Sequence, residues 1–297
     1  MRTVKSKLSL PRENCAATDA VSEEELRGIV ECLSYPRHYE YNSAANRMAR
    51  DWLVTRLNSL ALETSLQGEF DNVVAESPAR DGKPTILLSA HYDTVPTTPG
   101  ADDNNSAIAV CLETARVLTS YSDASFRVAI FNREEDGLLG SYDYVSWLTK
   151  ENRMDLAEVH NFEMVGYYSS EMGSQKKPKG VPLSLPDRGD FIGILSNSKS
   201  NRIAKQLQGA AEEVGSTTPL VSFRTYLGVE KAFTDFLRSD HAPFWKVGIP
   251  AVMWTDTSEF RNPNYHASTD TPDTLDYRAM ADVTRIIVRH VLNFNTR

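Results

Sequence analysis

The sequence predicts an α/β protein with a mixed, largely parallel central sheet and helices on both faces, arranged in three layers. Two observations indicate this fold. Several short segments are rich in residues that favour strands, and helical segments lie between them. Strands that alternate with helices are typical of a largely parallel sheet covered on both sides.

The N-terminal part of the chain has helical character. Ser22 is followed by three glutamates at 23–25, which is typical of a helix start because acidic side chains are stabilised at the positive end of the helix dipole. The segment 43–60 carries apolar residues near helical spacing. They are Ala44, Met48, Trp52, Leu53 and Leu57.

The strand-like and helical segments follow one another through the rest of the chain. Strands are predicted from short runs of strand-forming residues at 72–75, 85–90, 126–131, 157–165, 191–195 and 251–255. Helices are predicted at 106–118, 200–214 and 277–292. The polar, Gly- and Pro-rich segment 169–190 reads as a surface loop, because strand-like sequence resumes directly after it.

Size and composition are those of an ordinary soluble globular protein. The 297 residues are 41% hydrophobic and 24% charged, without an internal repeat. We expect one catalytic domain over 1–297, of which the helical segment 1–70 is a part. The net charge of -8 and the lack of a basic cluster argue against a nucleic-acid partner. The oligomeric state is left open.

The apolar segments and the cysteines of the sequence indicate the compartment and whether the chain spans a membrane. No stretch approaches the ~20 apolar residues of a membrane span, and the first twenty residues hold no apolar run of signal-peptide length. Cys15, Cys32 and Cys111 are odd in number and widely spaced, which indicates reduced thiols rather than disulfides. We therefore expect a cytoplasmic protein as the chain stands, or a secreted or periplasmic one if a signal was removed.

Residues able to bind a metal are associated with four of the predicted strands and one loop. In open α/β sheets, ligands bind beyond the carboxyl ends of the strands. The candidates are His91 and Asp93, Glu134 and Glu135, Glu163, Tyr265 and His266, and Asp103 in the loop GADDNNS. Each has an ordinary explanation alone, such as surface charge or a helix N-cap. Their shared placement after strands is what favours a site.

The residue types suit a pair of zinc ions. Zinc accepts imidazole nitrogen and carboxylate oxygen, and a catalytic site keeps a position open for water. Two zinc ions ~3.5–4 Å apart can share one bridging carboxylate and a bridging water. One bridge with one His and one carboxylate on each metal makes five ligands, which these loops supply. A further carboxylate must act as general base, and the adjacent Glu134 and Glu135 could provide base and ligand.

Six motifs give the chain a resemblance to a known family. It resembles the co-catalytic di-zinc aminopeptidases of the bacterial leucine aminopeptidase type, whose wider family includes glutaminyl cyclases and glutamate carboxypeptidases. The resemblance implies the zinc exopeptidase fold and covers roughly residue 72 to the C-terminus. The motifs are HYDTVP at 91–96, GADDNNSA at 100–107, NREEDGLLGS at 132–141, NFEMVGY at 161–167, SDHAPF at 239–244 and NPNYHASTDTPDTLDY at 262–277.

The resemblance implies a role for each matched residue. His91 and Glu163 would bind one zinc ion, Glu135 and His266 the other, and Asp103 would bridge them. Glu134 would be the general base and Tyr265 would stabilise the oxyanion. Asp93 would fix the ring of His91, and Asp240 would have a similar orienting role. A cis peptide bond is expected between Asp103 and Asn104.

Several positions depart from the family pattern or lie outside it. Many relatives have aspartate where this chain has Glu163, which carries the same ligand atoms on a longer arm. His241 would support the site or pack beneath it. His38, His160 and His290 match no motif and are expected to be structural or surface residues.

The predicted function is a zinc-dependent exopeptidase, an aminopeptidase that removes N-terminal residues from peptides. Three alternatives stay open: a glutaminyl cyclase-like enzyme with one zinc, a carboxypeptidase or other amidohydrolase, and a metal-free binding module. A carboxypeptidase would need a cationic group for the substrate carboxylate, for which Arg133, Arg238 and Arg261 are candidates. The loops 169–190 and 216–231 are expected to form the pocket walls.

Overall fold

A computed structural model describes residues 12–78, 84–153, 155–178 and 185–296. The helices are α1 (Arg12–Asp19), α2 (Glu23–Leu33), α3 (Ser43–Asn58), α4 (Ala107–Tyr121), α5 (Leu139–Lys150), α6 (Asn201–Val214), α7 (His241–Val247) and α8 (Tyr277–Asn295). The strands are β1 (Glu63–Gln67), β2 (Asn72–Glu76), β3 (Thr85–His91), β4 (Phe126–Phe131), β5 (Leu156–Glu163), β6 (Ile192–Ser196), β7 (Leu220–Arg224) and β8 (Ala251–Thr255). The N-terminal stretch 1–11, where a leader peptide would lie, is outside the described residues.

The eight strands form one mixed sheet in the order β1-β2-β4-β3-β5-β8-β6-β7. Four of the seven strand pairings are parallel and three are antiparallel. The four strands β4, β3, β5 and β8 are adjacent and mutually parallel. Their carboxyl ends therefore meet at one edge of the sheet, which is where the predicted site residues lie. The prediction of a mixed, largely parallel sheet is confirmed.

Alternate residues of the inner strands face two different cores. On β3, Leu88 packs in the core formed with α2, α4, α6 and α8, whereas Leu87 packs in the core formed with α5 and α7. Because successive side chains of a strand point to opposite faces, this split places helices on both sides of the sheet. All seven residues of β3 are buried. The three-layer prediction is confirmed.

The N-terminal helices pack against the same core as the sheet. Ser22 caps α2 as expected, and its hydroxyl accepts a hydrogen bond from the backbone N–H of Glu25 at 3.2 Å. Leu26 of α2 and Leu53 of α3 are fully buried in the core that also contains Leu88. These contacts place α2 and α3 on the core of the sheet, and the single-domain assignment over 1–297 stays a prediction.

Two strands and two helices were absent from the sequence-based prediction, and one of these strands, β1 (Glu63–Gln67), lies within the segment 1–70 that was predicted to be helical. The strands β1 and β7 are the outermost strands of the sheet and are largely exposed or half-buried. The sequence of β1, ETSLQ, contains one apolar residue and gives a weak signal, whereas β7, LVSFR, contains three and was overlooked because it is short. The helices α5 and α7 begin within the NREEDGLLGS and SDHAPF motifs, at Leu139 and His241.

The structure bears on the expected reduced thiols and on the expected lack of a membrane span. Cys32 and Cys111 are free thiols, while the side chain of Cys15 lies outside the described part of the chain. Over the described ranges, we find no helix with the length and apolar character needed to cross a membrane.

Candidate metal centre and active site

The parallel strands bring the predicted ligands to one edge of the sheet. His91 is the last residue of β3, and Glu163 is the last residue of β5. Glu135 follows β4, and His266 lies in the loop after β8. Asp103 lies in the turn Ala101–Ser106 that leads into α4. These side chains come from five separate segments of the chain, and the sheet topology brings those segments to one edge.

Two clusters of potential ligands share one aspartate. His91 Nε2 lies 3.3 Å from Asp103 Oδ1 and 3.7 Å from Glu163 Oε2. His266 Nε2 lies 3.2 Å from Asp103 Oδ2 and 3.4 Å from Glu135 Oε2. Within each cluster, the three possible ligand atoms lie within 4.8 Å of one another. Asp103 therefore offers one oxygen to each cluster, as a bridging carboxylate must.

Several atoms of these clusters are buried without a hydrogen-bond partner. Among the described residues, His91 Nε2, Asp103 Oδ1 and Glu135 Oε1 have none. A buried polar atom of this kind is costly unless a ligand satisfies it. The two imidazoles and three carboxylates are also a donor set that suits zinc. The residues present thus fit a metal ion in each cluster.

The electrostatics of the site point to the same need for cations. Burial raises the pKa of Glu135 to about 7, and the Asp103 carboxylate adds to the rise. Burial also raises the pKa of Glu134 well above its ordinary value, with Glu163 and Glu135 adding to the effect. Burial would lower the pKa of His266, but Asp103 and Glu135 outweigh it and raise that pKa to about 10. Carboxylates crowded in this way are stabilised by bound cations.

Glu134 lies beside the two clusters but in neither of them. Its Oε2 atom is 4.0 Å from His91 Nε2. The side chain lines the same cavity as Asp103 and Glu163. A carboxylate in this position can accept a proton from a molecule held between the clusters.

Asp93 connects the end of β3 with the turn after β4. Its Oδ1 atom accepts a hydrogen bond from the backbone N–H of Glu134, and its Oδ2 atom accepts one from Glu135, both at 3.1 Å. The ring atom His91 Nδ1 lies 3.4 Å from Asp93 Oδ1 and 3.2 Å from the Asp93 carbonyl oxygen. One carboxylate thus orients a potential ligand on each of two strands.

Asp240 is hydrogen-bonded to Ser141, and its expected orienting role stays a prediction. It is buried at the start of α7, and its Oδ1 atom accepts a hydrogen bond from the hydroxyl of Ser141. Its Oδ2 atom has no partner among the described residues. Burial raises the pKa of Asp240 to about 7. No hydrogen bond joins it to a candidate ligand in the described part of the chain.

Ser239 is a site residue that the sequence did not single out. Its hydroxyl donates to Glu163 Oε2 at 2.7 Å and accepts from Asn161 Nδ2 at 2.8 Å. Asn161 in turn accepts from Ser89, its partner across β3 and β5, at 3.0 Å. This chain of hydrogen bonds fixes the carboxylate of Glu163. The only sequence signal was its position beside Asp240 in the SDHAPF motif.

Arg37 is a second residue that the sequence did not reveal. Its guanidinium is fully buried and donates to the carbonyl oxygens of Tyr92 at 2.6 Å and Pro99 at 2.9 Å, and to Asn105 Oδ1 at 2.6 Å. It thereby ties together the segments on either side of Asp103. Burial lowers its pKa to about 10.

The expected cis peptide bond is present between Asp103 and Asn104. The side chain of Asn104 donates to the carbonyl oxygen of Phe162 at 3.1 Å and accepts from the backbone N–H of Met164 at 3.0 Å. The turn that carries Asp103 is therefore attached to the end of β5 on both sides of Glu163.

A cavity of about 470 Å³ opens beside the two clusters. Its polar end is lined by Asp103, Glu134, Glu135, Glu163, Tyr265 and His266. Its other walls include the apolar side chains of Leu185, Leu195, Phe223, Phe236, Met253 and Phe260. The predicted wall loops contribute Gln175, Pro178 and Leu185 from 169–190 and Phe223 from 216–231, while residues 179–184 lie outside the described residues.

Tyr265 lies at the polar end of this cavity. Its ring stacks on the ring of His266, with centroids 3.8 Å apart. Its hydroxyl oxygen accepts a hydrogen bond from Arg238 at 3.2 Å. An aromatic hydroxyl in this place can donate to a substrate oxygen.

The remaining histidines lie away from the two clusters. His241 is buried, its Nε2 atom contacts the carbonyl oxygen of Phe236 at 2.9 Å, and it belongs to neither cluster. His38 is buried under the loop before α3, where its Nδ1 atom accepts from the backbone N–H of Glu40. Both residues therefore have a structural explanation.

His160 and His290 form a third buried cluster with Glu158. The Nε2 atoms of both histidines contact Glu158 Oε1, that of His160 at 3.2 Å. Trp254 Nε1, which is only a donor, contacts His160 Nδ1 at 3.2 Å. That bond leaves the ring proton of neutral His160 on Nε2, where it donates to Glu158. The cluster is therefore explained by hydrogen bonding between β5 and α8 rather than by a metal.

The three candidate arginines are engaged within the protein. Arg238 lines the cavity and is paired with Glu259. Arg133 pairs with Asp136 at 2.8 Å. Arg261 is buried and donates to the carbonyl oxygen of Phe191 at 2.7 Å. None of these contacts favours an anchor for a substrate carboxylate.

Comparisons with known proteins agree with this geometry. Residues 72–291 match the profile of Peptidase family M28. The chain is 32% identical to the Escherichia coli protein YfbL, an alignment that covers 92% of this chain and 88% of that protein. It is 35% identical to aminopeptidase YwaD of Bacillus subtilis over 62% of this chain and 35% of the relative.

Solved structures share the fold at lower identity. The LapA aminopeptidase of Legionella pneumophila has a TM-score of 0.76 at 19% identity and covers 100% of this chain, which spans 78% of LapA. A Porphyromonas gingivalis glutaminyl cyclase has a TM-score of 0.67 at 19% identity, over 93% of this chain and 99% of that one. At such identities the likeness shows the fold alone.

The family match and the names of its relatives together identify the type of enzyme. The match covers well over half of the chain. Among the curated relatives are aminopeptidases and zinc metalloproteases. They support the prediction of a zinc-dependent aminopeptidase over that of a cyclase. The chain therefore belongs to peptidase family M28 and is a zinc-dependent metallopeptidase.

Proposed function

We propose that this protein is an aminopeptidase that binds two zinc ions and removes N-terminal residues from peptides. The observation that carries the proposal is the sharing of Asp103 by two clusters of possible ligands. In this proposal His91 and Glu163 would hold one ion and Glu135 and His266 the other, while Asp103 would offer one carboxylate oxygen to each. Ser239 and Asp93 keep Glu163 and His91 in position.

Each residue around the clusters has its own role in the proposed reaction. Zinc held by these residues would supply Lewis acidity and would lower the pKa of a bound water molecule. Glu134 accepts a proton from the attacking water and delivers it to the leaving amine. Glu163 faces the free α-amine of the substrate. Tyr265 donates its hydroxyl hydrogen to the carbonyl oxygen as negative charge develops there.

The walls of the cavity indicate which peptides would be cleaved. The apolar side chains of Leu195, Phe223 and Met253 form one side of the cavity next to the clusters. A large apolar N-terminal side chain would be removed from water in this space, which favours binding by about 25 cal/mol for each Å² of apolar surface buried. We therefore expect a preference for N-terminal leucine, methionine or phenylalanine over small or charged residues.

Metal content and hydrolysis of a panel of aminoacyl-nitroanilides would test this proposal, with and without a chelator. Near two zinc ions per chain and chelator-sensitive release of apolar aminoacyl groups are expected. One zinc ion per chain with cyclisation of a Gln-peptide would instead establish the cyclase. No zinc and no product would point to a binding module.

Exchange of Glu134 for glutamine separates catalysis from metal binding. Since Glu134 lies outside both clusters, Glu134→Gln should keep the zinc content of the wild type while kcat falls by about 10²–10⁴-fold. A variant that retains wild-type kcat would show that another residue is the base. His266→Ala is the matched control, because it should lose zinc as well as activity.

A further inference from the structure

Arg238 is held at the edge of the cavity by acidic neighbours. One end of its guanidinium forms an ion pair with Glu259, and Asp235 lies 3.8 Å away on the same side. The other end donates from NH2 to the hydroxyl oxygen of Tyr265 at 3.2 Å. The side chain is 44% exposed, so its position depends on these contacts rather than on burial. The two carboxylates neutralise the charge of Arg238, and its other hydrogen bond is to Tyr265.

Tyr265 is placed against the metal centre by a second contact. Its ring stacks on His266 with an angle of 21° between the rings. Both residues line the cavity together with Glu134 and Glu163. Arg238 and His266 therefore hold the tyrosine at its two ends, the hydroxyl and the ring face.

The direction of the hydrogen bond decides where the hydroxyl hydrogen can point. A guanidinium has five N–H donors and no acceptor, so the phenol oxygen must be the acceptor in this contact. The single hydrogen of the phenol remains available for another partner. Within the described ranges, the Tyr265 hydroxyl donates to no protein acceptor, and it borders the cavity where a substrate would lie.

We propose that Arg238 is a positioning residue that directs the hydroxyl hydrogen of Tyr265 toward the carbonyl oxygen of the scissile bond. This inference rests on the proposed aminopeptidase function and on the role of Tyr265 within it. Glu259 contributes indirectly, since it fixes the guanidinium that fixes the phenol. A donor that is already aimed at the developing charge needs no reorientation during the reaction.

The effect of removing Arg238 follows from this arrangement. Loss of an oxyanion donor costs about 10²–10³-fold in kcat, so Tyr265→Phe should fall in that range. Arg238→Met leaves the hydroxyl present but free to rotate, and should lower kcat by about 10-fold or more, with KM little changed. Glu259→Gln should lower kcat by a smaller factor.

A double-mutant cycle distinguishes this positioning role from a general structural one. If Arg238 acts through Tyr265, the double variant of Arg238→Met and Tyr265→Phe should have nearly the kcat of Tyr265→Phe alone. The single and double variants would be compared on one aminoacyl-nitroanilide, with zinc content and thermal unfolding measured for each. Arg202→Met, at an arginine on α6 whose side chain is 63% exposed, is the control for lost positive charge.

A binding measurement provides a readout that does not depend on turnover. An aminoalkylphosphonic acid carries a tetrahedral anion that resembles the transition state, and calorimetry would give its Kd. Arg238→Met should weaken the phosphonate about 10-fold or more while the free amino acid is bound about as well as by the wild type. Arg238→Lys, which keeps a donor, should recover part of the loss.

The outcomes separate this inference from the function on which it rests. Reduced kcat in Tyr265→Phe together with wild-type kcat and phosphonate affinity in Arg238→Met would overturn the role of Arg238 alone. Additive losses in the double variant would also overturn it. Wild-type kcat in Tyr265→Phe would overturn the role proposed for Tyr265, and with it this inference.

Discussion

The substitution Asp93→Asn tests how strongly a single carboxylate organises the site. Asp93 accepts two backbone hydrogen bonds, from Glu134 and Glu135, and lies beside the ring of His91. Asparagine keeps the shape of the side chain. It also replaces one accepting oxygen with an NH2 group that faces a backbone N–H.

The magnitude follows from the contacts that are lost. One backbone N–H in a buried turn loses its acceptor, which costs about 1–3 kcal/mol of folding free energy. The ring of His91 also loses the negative charge that favours metal binding through its other nitrogen. Removal of such a supporting carboxylate typically weakens metal binding by about 10–100-fold.

Two measurements would be made on this variant. Urea unfolding in the presence of a chelator gives the folding free energy without metal, and competition with a zinc-binding dye gives the zinc affinity. Asp136→Asn is the matched control, because it changes an exposed carboxylate in the same turn, where it pairs with Arg133. The reasoning is refuted if Asp93→Asn equals Asp136→Asn in both stability and zinc affinity.

Two further predictions concern stability. Zinc removal at neutral pH should lower Tm by about 5–15 °C, because zinc at 100–1,000 times its Kd adds about 3–4 kcal/mol per site to the free energy of unfolding. A chelated, zinc-free protein with an unchanged Tm would contradict the proposed centre. The stabilisation that the Glu158 cluster gives to the fold should be lost in acid. The hydrogen bonds of Glu158 to His160 and His290 outweigh burial and hold the pKa of Glu158 well below its usual value. The ionised carboxylate therefore stabilises the folded state above the unfolded-chain pKa of about 4.3, and this stabilisation is lost as the pH falls further. Burial lowers the pKa of His160, which acts in the same direction below about pH 6.5. In chelated samples, Glu158→Gln should therefore be less stable than wild type at pH 7, and the two urea midpoints should begin to converge below about pH 5 and continue to converge as the pH falls further. A difference that stays constant down to low pH would exclude this linkage.

The sequence by itself determined the fold class and the candidate ligands. Buried strands such as β3 give a strong local signal, and polar residues directly after them are conspicuous. Because adjacent parallel strands end at one edge of the sheet, the sequence alone groups His91, Glu135 and Glu163. Their metal-binding roles remain proposals that the geometry supports.

Only the tertiary structure decided which residues hold those side chains in place. Three contacts show this: the hydrogen bond from Ser239 to Glu163, the one from Arg37 to the carbonyl oxygen of Tyr92, and the one from Arg238 to Tyr265. Each joins residues that are between 27 and 76 positions apart in the sequence. Serine and arginine are common surface residues, and no local pattern marks the few that are enclosed. The edge strand β1 was missed for a related reason, since a largely exposed strand needs no apolar pattern. Such features depend on how distant segments meet, and that is set by packing rather than by neighbours in the sequence.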